Sequence, residues 1–139
     1  MGKSFIDTNV IVYANDAADA DKQGRAVEVV RELLESGGGV ISTQVLMEYA
    51  AVATHKLGQS RAAVSRQIVN LERMEVVPVG AELIREGLEM AESHTLSSWD
   101  GVIIAAAAAA QCTEIISEGF SHGTRLAGVR VRNPFLQDA

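Results

Sequence analysis

FIDTNVIVYA, residues 5–14, is the stretch from which the rest of the chain is read. Phe5 and Ile6 are apolar, Asp7, Thr8 and Asn9 are polar, and Val10 to Ala14 turn apolar again. The first pair suits the end of a short buried strand. The polar triplet suits a helix start, because an Asp or Thr side chain accepts from the unpartnered N–H groups of a first helical turn. In open parallel sheets, ligands gather outside the carboxyl ends of strands. Asp7 therefore has two readings: it caps a helix, or it holds a cation. Taken alone, the cap comes first, since such caps are common.

Working outward, strands and helices alternate. Ser4 to Asp7 reads as a short strand, followed by helical patterns over Asn9 to Ala14 and Ala20 to Glu35. In ESGGGVIST (35–43), Gly37 to Gly39 supply a C-cap and turn before a second strand at Val40-Ile41. Ser42 or Thr43 caps a helix to about Leu57, which Gly58 ends, and Ser60 caps another to about Met74. EVVPV (75–79) is a third strand, Gly80 to Ser93 is helical, and Ser97 or Ser98 starts an alanine-rich helix to about Cys112. EIIS (114–117) is a fourth strand, and GVRVRNP (128–134) a fifth, stopped by Pro134. Short apolar strands joined through helices imply an α/β fold, its mainly parallel sheet covered on both faces. A single domain over residues 1–139 is expected.

The bulk composition narrows the function. The chain has 139 residues, 47% hydrophobic and 22% charged, as in an ordinary globular protein. Its net charge of −6 is wrong for a non-specific polyanion binder, which needs a broad basic face. Acidity does not exclude a nucleic-acid enzyme, because carboxylates that hold divalent cations add negative charge to the metal-free protein. The one cysteine, Cys112, excludes an intramolecular disulfide framework and suits a reducing cytoplasm as a buried small hydrophobe. Met1-Gly2-Lys3 lead directly into the first strand with no signal peptide, and the apolar run Val102 to Ala110 is too short to span a bilayer, so no membrane role is expected.

Two further acids stand in comparable places. Glu48 lies three residues after Val45 and four before Val52, on the apolar face of its helix, where a carboxylate needs a partner. It either reaches water or an arginine at the core boundary, or serves a site. Asp100, in HTLSSWDGVIIAA (94–106), forms a capping box with Ser97, which explains it without any function. It also starts a helix at the rim of the sheet. Three such acids are what an oxygen-liganded divalent ion such as Mg²⁺ or Mn²⁺ needs, if the fold brings them together. His55, His94 and His122 show no ligand spacing. No Walker loop, GxGxxG or GxSxG is present. Arg125, Arg130 and Arg132 form a basic cluster, read either as phosphate contacts or as a solvated edge.

These segments together resemble the PIN-domain family, specifically the VapC-type toxin ribonucleases of toxin–antitoxin pairs. The resemblance rests on FIDTNVIVYA, on ISTQVLMEYAAV around Glu48, on LSSWDGVIIAAA around Asp100, and on IISEGFSHG near the end. It implies a three-layer α/β/α sandwich with a central sheet of about five short strands. It implies that Asp7, Glu48 and Asp100 converge to bind Mg²⁺ or Mn²⁺, with Thr8, Asn9 and Ser117 in support, and that an activated water cuts RNA. It also implies a homodimer restrained by a cognate antitoxin in the cytoplasm.

The chain departs from the family pattern at one point. The family's fourth acid follows a Ser-Glu or Thr-Glu pair, whereas here SEG places Gly119 there. Three readings follow: three carboxylates suffice, Glu118 takes over, or the chain is a weakened or inactive binding module for antitoxin or RNA. A third class, a phosphatase with an aspartyl nucleophile, needs a second acid two residues after Asp7, where Asn9 stands.

Overall fold

A computed structural model describes residues 2–136. The expected domain span of 1–139 includes Met1 and residues 137–139, which lie outside the described residues. The elements run β1 (Lys3–Ile6), α1 (Thr8–Ala14), α2 (Ala20–Ser36), β2 (Gly39–Ser42), α3 (Thr43–His55) and α4 (Arg61–Leu71). They continue with β3 (Glu75–Val77), α5 (Ala81–His94), α6 (Ser98–Ala109), β4 (Cys112–Ile116), β5 (Arg125–Leu126) and β6 (Val129–Arg132). The strands form one sheet in the order β3-β2-β1-β4-β6-β5. All neighbours are parallel except β5 and β6. The architecture is a three-layer α/β/α sandwich.

The core lies where the sequence is most apolar. Phe5, Ile6, Val40, Ile41, Ile115, Ile116 and Val131 are fully buried on the central strands. Each such side chain contributes roughly 1.5–3 kcal/mol relative to exposure. Strand order reverses at β1, whose sequence neighbour β2 lies on one side and β4 on the other. That reversal opens the crevice at the carboxyl ends in which ligands bind in such sheets. The residues that leave those ends are Asp7 after β1 and Ser117 after β4.

α6 explains the alanine run. It is buried continuously from Gly101 to Ala107, and its small side chains let it lie close to its neighbours. A Cβ on Gly101 would stand 2.1 Å from the Gly87 carbonyl oxygen, and one on Gly87 2.5 Å from Val102. Glycine at both positions is what lets α5 and α6 pack backbone to backbone.

Two boundaries differ from the expectation. The alanine-rich helix stops at Ala109, and Cys112 starts β4 instead of ending the helix. A run of strong helix formers carries no stop signal. The chain turns at Gln111 with φ of 60°, and Cys112 then pairs opposite Lys3. The sheet also has a sixth strand, β5, joined to β6 by Ala127-Gly128, with φ of 52° and 80°. Two left-handed residues are what a tight antiparallel hairpin needs, but Ala-Gly is not among its usual signatures. Among the described residues, no helix is long and apolar enough to cross a membrane.

Candidate active site

Asp7 is the centre of the arrangement. Its backbone N–H donates to the Ile116 carbonyl at 3.0 Å, which extends the β1–β4 ladder by one step and holds the residue rigidly. Its side chain is 7% exposed. Oδ1 accepts from the Thr8 backbone N–H at 2.7 Å, so the capping role exists. Oδ2 accepts from Ser117 Oγ at 2.7 Å and, weakly, from Asn9 Nδ2 at 3.4 Å. Every one of these donors is neutral. Burial holds the Asp7 carboxyl above its usual range. The Ser117 and Thr8 hydrogen bonds oppose that shift, and the charges of Glu48 and Asp100 add to it.

The other two acids arrive from separate helices. Glu48, half-buried in α3, accepts from Thr8 Oγ1 at 2.8 Å and distantly from Gln44 Nε2 at 3.4 Å. Thr8 therefore bonds Asp7 through its backbone and Glu48 through its hydroxyl. Among the described residues no arginine pairs with Glu48. Asp100 sits in the first turn of α6, where its backbone N–H donates to Ser97 Oγ at 3.1 Å. Among the described residues its carboxylate has no hydrogen-bond or ion-pair partner, so only half of the capping box forms. Asp7, Glu48 and Asp100 line one cleft of about 940 Å³, together with Thr8, Asn9 and Gly119.

The turn after β4 completes the wall. Ser117 is fully buried, and its Oγ also accepts from Gly119 N–H at 2.9 Å and from Asn9 Nδ2 at 3.2 Å. A Cβ on Gly119 would lie 3.4 Å from Asn9 Nδ2, 3.5 Å from Ser117 Oγ and 4.0 Å from Asp7 Oδ2. The missing side chain would thus reach the acids. Glu118 points elsewhere: it accepts from Tyr13 Oη at 2.9 Å and forms an ion pair with Lys22. It does not line the cleft.

The arginine cluster does not reach the cleft either. Arg125 and Arg130 are exposed on the sheet edge, and Arg132 is engaged by Glu114 through Nε at 3.0 Å and Nη2 at 3.2 Å. The histidines also lie outside the lining, with His55 and His94 at helix ends. Sequence reasoning missed Lys56, which the fold brings to the cleft rim. It also missed Tyr13, which lies one helical turn beyond Asn9 on the same face of α1.

Among the described residues, no three Asp, Glu, His or Cys side chains are gathered tightly enough to enclose an ion as they lie. The donor set nevertheless fits a small divalent cation. Three hard-oxygen carboxylates share a cleft, repel one another, and have no bonded cationic side chain. Mg²⁺ keeps several waters and requires only one or two direct carboxylates, so a tight cage is not demanded.

A family model described as the PIN domain matches residues 4–120. VapC20 of Mycobacterium tuberculosis, a toxin that cleaves the sarcin–ricin loop, is similar in structure, with a TM-score of 0.64 and 24% identity over 81% of this chain and 87% of that one. A FitAB complex bound to DNA gives 0.71 and 19% identity, covering 98% of both chains. VapBC of Salmonella typhimurium, also bound to DNA, gives 0.67 and 16% identity, covering 96% of this chain and 99% of that one. No curated protein matches this sequence.

Proposed function

The chain belongs to the PIN-domain family, a nuclease family, and from that premise we propose that it is a Mg²⁺- or Mn²⁺-dependent endoribonuclease of the VapC toxin type. The observation that carries the proposal is the cleft itself. Three acids, from the β1–α1 junction, α3 and α6, line it, and among the described residues none is neutralised by a bonded lysine or arginine.

Asp7, Glu48 and Asp100 would hold the cation. When bound, it supplies an activated water and neutralises charge on the phosphodiester. The chain's own residues set the geometry. Ser117 and Thr8 orient Asp7 by hydrogen bonds to separate oxygens, and Thr8 Oγ1 turns Glu48 toward it. Asp100, with no competing partner, is free to ligate. Lys56 on the rim is placed to meet a phosphate.

A cognate antitoxin and a cytoplasmic setting belong to the same proposal, supported by the VapBC complexes among the structural relatives. A homodimer is proposed as well. Met47, Ile84, Leu88 and Trp99 form an apolar groove beside the cleft, and Met47 and Trp99 are each 67% exposed. Sedimentation of the purified chain tests it.

A second reading rests on Gly119. In this reading, a PIN fold that lacks the fourth acid binds antitoxin or RNA without cutting. An RNA cleavage assay with Mn²⁺, with Mg²⁺ and with excess chelator separates the two. Cleavage that needs the metal supports the nuclease. Cleavage that persists in chelator sinks the metal mechanism, and RNA binding with no cleavage under any condition favours the binding module.

A further inference from the structure

The Ser117–Gly119 turn is tied to α1 at two points one helical turn apart. At the first, Asn9 Oδ1 accepts from the Glu118 backbone N–H at 3.1 Å while Asn9 Nδ2 donates to Ser117 Oγ at 3.2 Å. At the second, Tyr13 Oη donates to Glu118 Oε1 at 2.9 Å. Residues four apart lie on one helix face, so one side of α1 makes both ties. α2 closes the arrangement from the other direction. Lys22 Nζ pairs with Glu118 Oε2, donates to Tyr13 Oη at 3.2 Å, and stands 4.6 Å from the centre of the Tyr13 ring. The Phe135 ring meets Tyr13 edge-on at 4.9 Å and lies 5.3 Å from the ammonium.

A partly exposed ion pair of this kind contributes little to global stability. Its local consequence is larger. The turn it holds carries Ser117, whose hydroxyl makes the 2.7 Å bond to Asp7 Oδ2. Gly119 puts no side chain on the cation site, so the turn has no ligand of its own to draw it there.

We propose that Glu118 is a positioning residue: clamped by Lys22 and Tyr13, it fixes the Ser117–Gly119 turn against α1 so that Asp7 presents its carboxylate to the cation in one orientation. The inference rests on the proposed cation site and deepens it. It assigns a role to the acid next to Gly119 that is different from ligation.

The test is calorimetric titration of the full chain with MnCl₂, paired with thermal melting in chelator. Glu118→Gln and Lys22→Met are each expected to weaken Mn²⁺ binding on the order of tenfold, the low end for groups that orient a metal ligand. Tyr13→Phe weakens it in the same direction. Metal-free melting should shift by no more than about 2–4 °C, the equivalent of ~1 kcal/mol in a chain of this size. The exchanged pair, Lys22→Glu with Glu118→Lys, should recover most of the affinity, which a merely structural defect would not. Unchanged affinity in the single variants overturns the clamp. So does tighter binding, which would mean that Glu118 is being withheld from the cation, or weakening that the exchange leaves uncorrected. A wild-type chain that takes up no Mn²⁺ overturns the proposed function and the clamp with it. Normal wild-type uptake with unaffected variants overturns the clamp alone.

Discussion

Glu114 within β4 and Asp7 just past the end of the neighbouring strand β1 are both carboxylates, and the fold treats them in opposite ways. Glu114 lies within β4, half-buried, opposite Ser4 of β1 and Arg130 of β6. Its oxygens accept from both Nε and Nη2 of Arg132 and from Ser4 Oγ at 2.6 Å. Burial pushes the Glu114 carboxyl up, yet the Arg132 and Ser4 bonds bring it below its usual range. Asp7 is more deeply buried, has only neutral donors, and stays above its range. Glu118 follows the Glu114 pattern, with Lys22 as its cation. Glu114 and Glu118 thus each have a cation of the chain bonded to them. Among the described residues no lysine or arginine is bonded to Asp7, Glu48 or Asp100, although Lys56 lines the same cleft. An uncompensated buried charge is costly, and the contrast at Asp7 is what supports the proposal of an external cation there.

Asp7→Asn attacks this contrast most strongly. Metal-dependent RNA cleavage should fall by more than about 100-fold, since groups that merely orient a ligand already account for 10- to 100-fold. Metal-free stability should move the other way. Asn keeps an acceptor for Thr8 N–H while removing the buried charge. The folded Asp7 carboxyl titrates above its ordinary 3.8, so its contribution to stability is present at low pH. That contribution is lost as pH rises through the raised value. At neutral pH in chelator, the Asn variant is therefore expected to melt above wild type. A lower melting temperature would mean that Asp7 is a structural acid like Glu114.

Gly119→Asp sharpens the same comparison by adding a fourth acid. The new Cβ meets only ordinary contacts, the nearest at 3.4 Å, so the side chain fits. Mn²⁺ affinity should rise on the order of tenfold, or ~1.4 kcal/mol, while the metal-free protein melts lower because another like charge joins the cleft. Titration calorimetry and melting in chelator read the two effects. A large gain in cleavage from a weak base would mark the native chain as a weakened enzyme. Strong native cleavage with little gain would show that three carboxylates suffice and would reject the binding-only reading.

What the sequence revealed of this arrangement depended on the range of the interactions. The strand–helix alternation and all three acids were visible because caps and helical faces are local signals. Asp7 fulfils the capping reading, with one oxygen on Thr8 N–H, while the other accepts from Ser117, 110 residues away, a partner no local pattern announced. Asp100 looked fully explained by Ser97, but only the backbone half of that box forms. The Lys22 partner of Glu118 was invisible, because it lies 96 residues away on another element and no local pattern links the two. β5 was missed for a local reason: its turn uses Ala127 in a left-handed conformation that alanine rarely adopts. The arginines were misleading because a run of like residues on a strand does not tell which way each points. Arg132 turned to Glu114, away from the cleft.

The smallest effect tests the structural half of the comparison. Arg132→Ala leaves Glu114 with Ser4 alone. Because Arg132 is 44% exposed, the loss is discounted for solvent screening to roughly 1 kcal/mol, or about 2–4 °C in melting temperature. The folded Glu114 carboxyl titrates below its ordinary 4.5, so the stability it contributes is present above 4.5 and is lost as pH falls through the lowered value. Melting curves of wild type and variant should therefore differ at neutral pH, with the variant lower where Asp7→Asn is higher, and converge in acid. Mn²⁺ affinity should not change, since neither Arg132 nor Glu114 lines the cleft. If removing Arg132 alters metal binding as much as stability, the two regions are coupled through β1 and β4, and the division between structural and cation-holding acids does not hold.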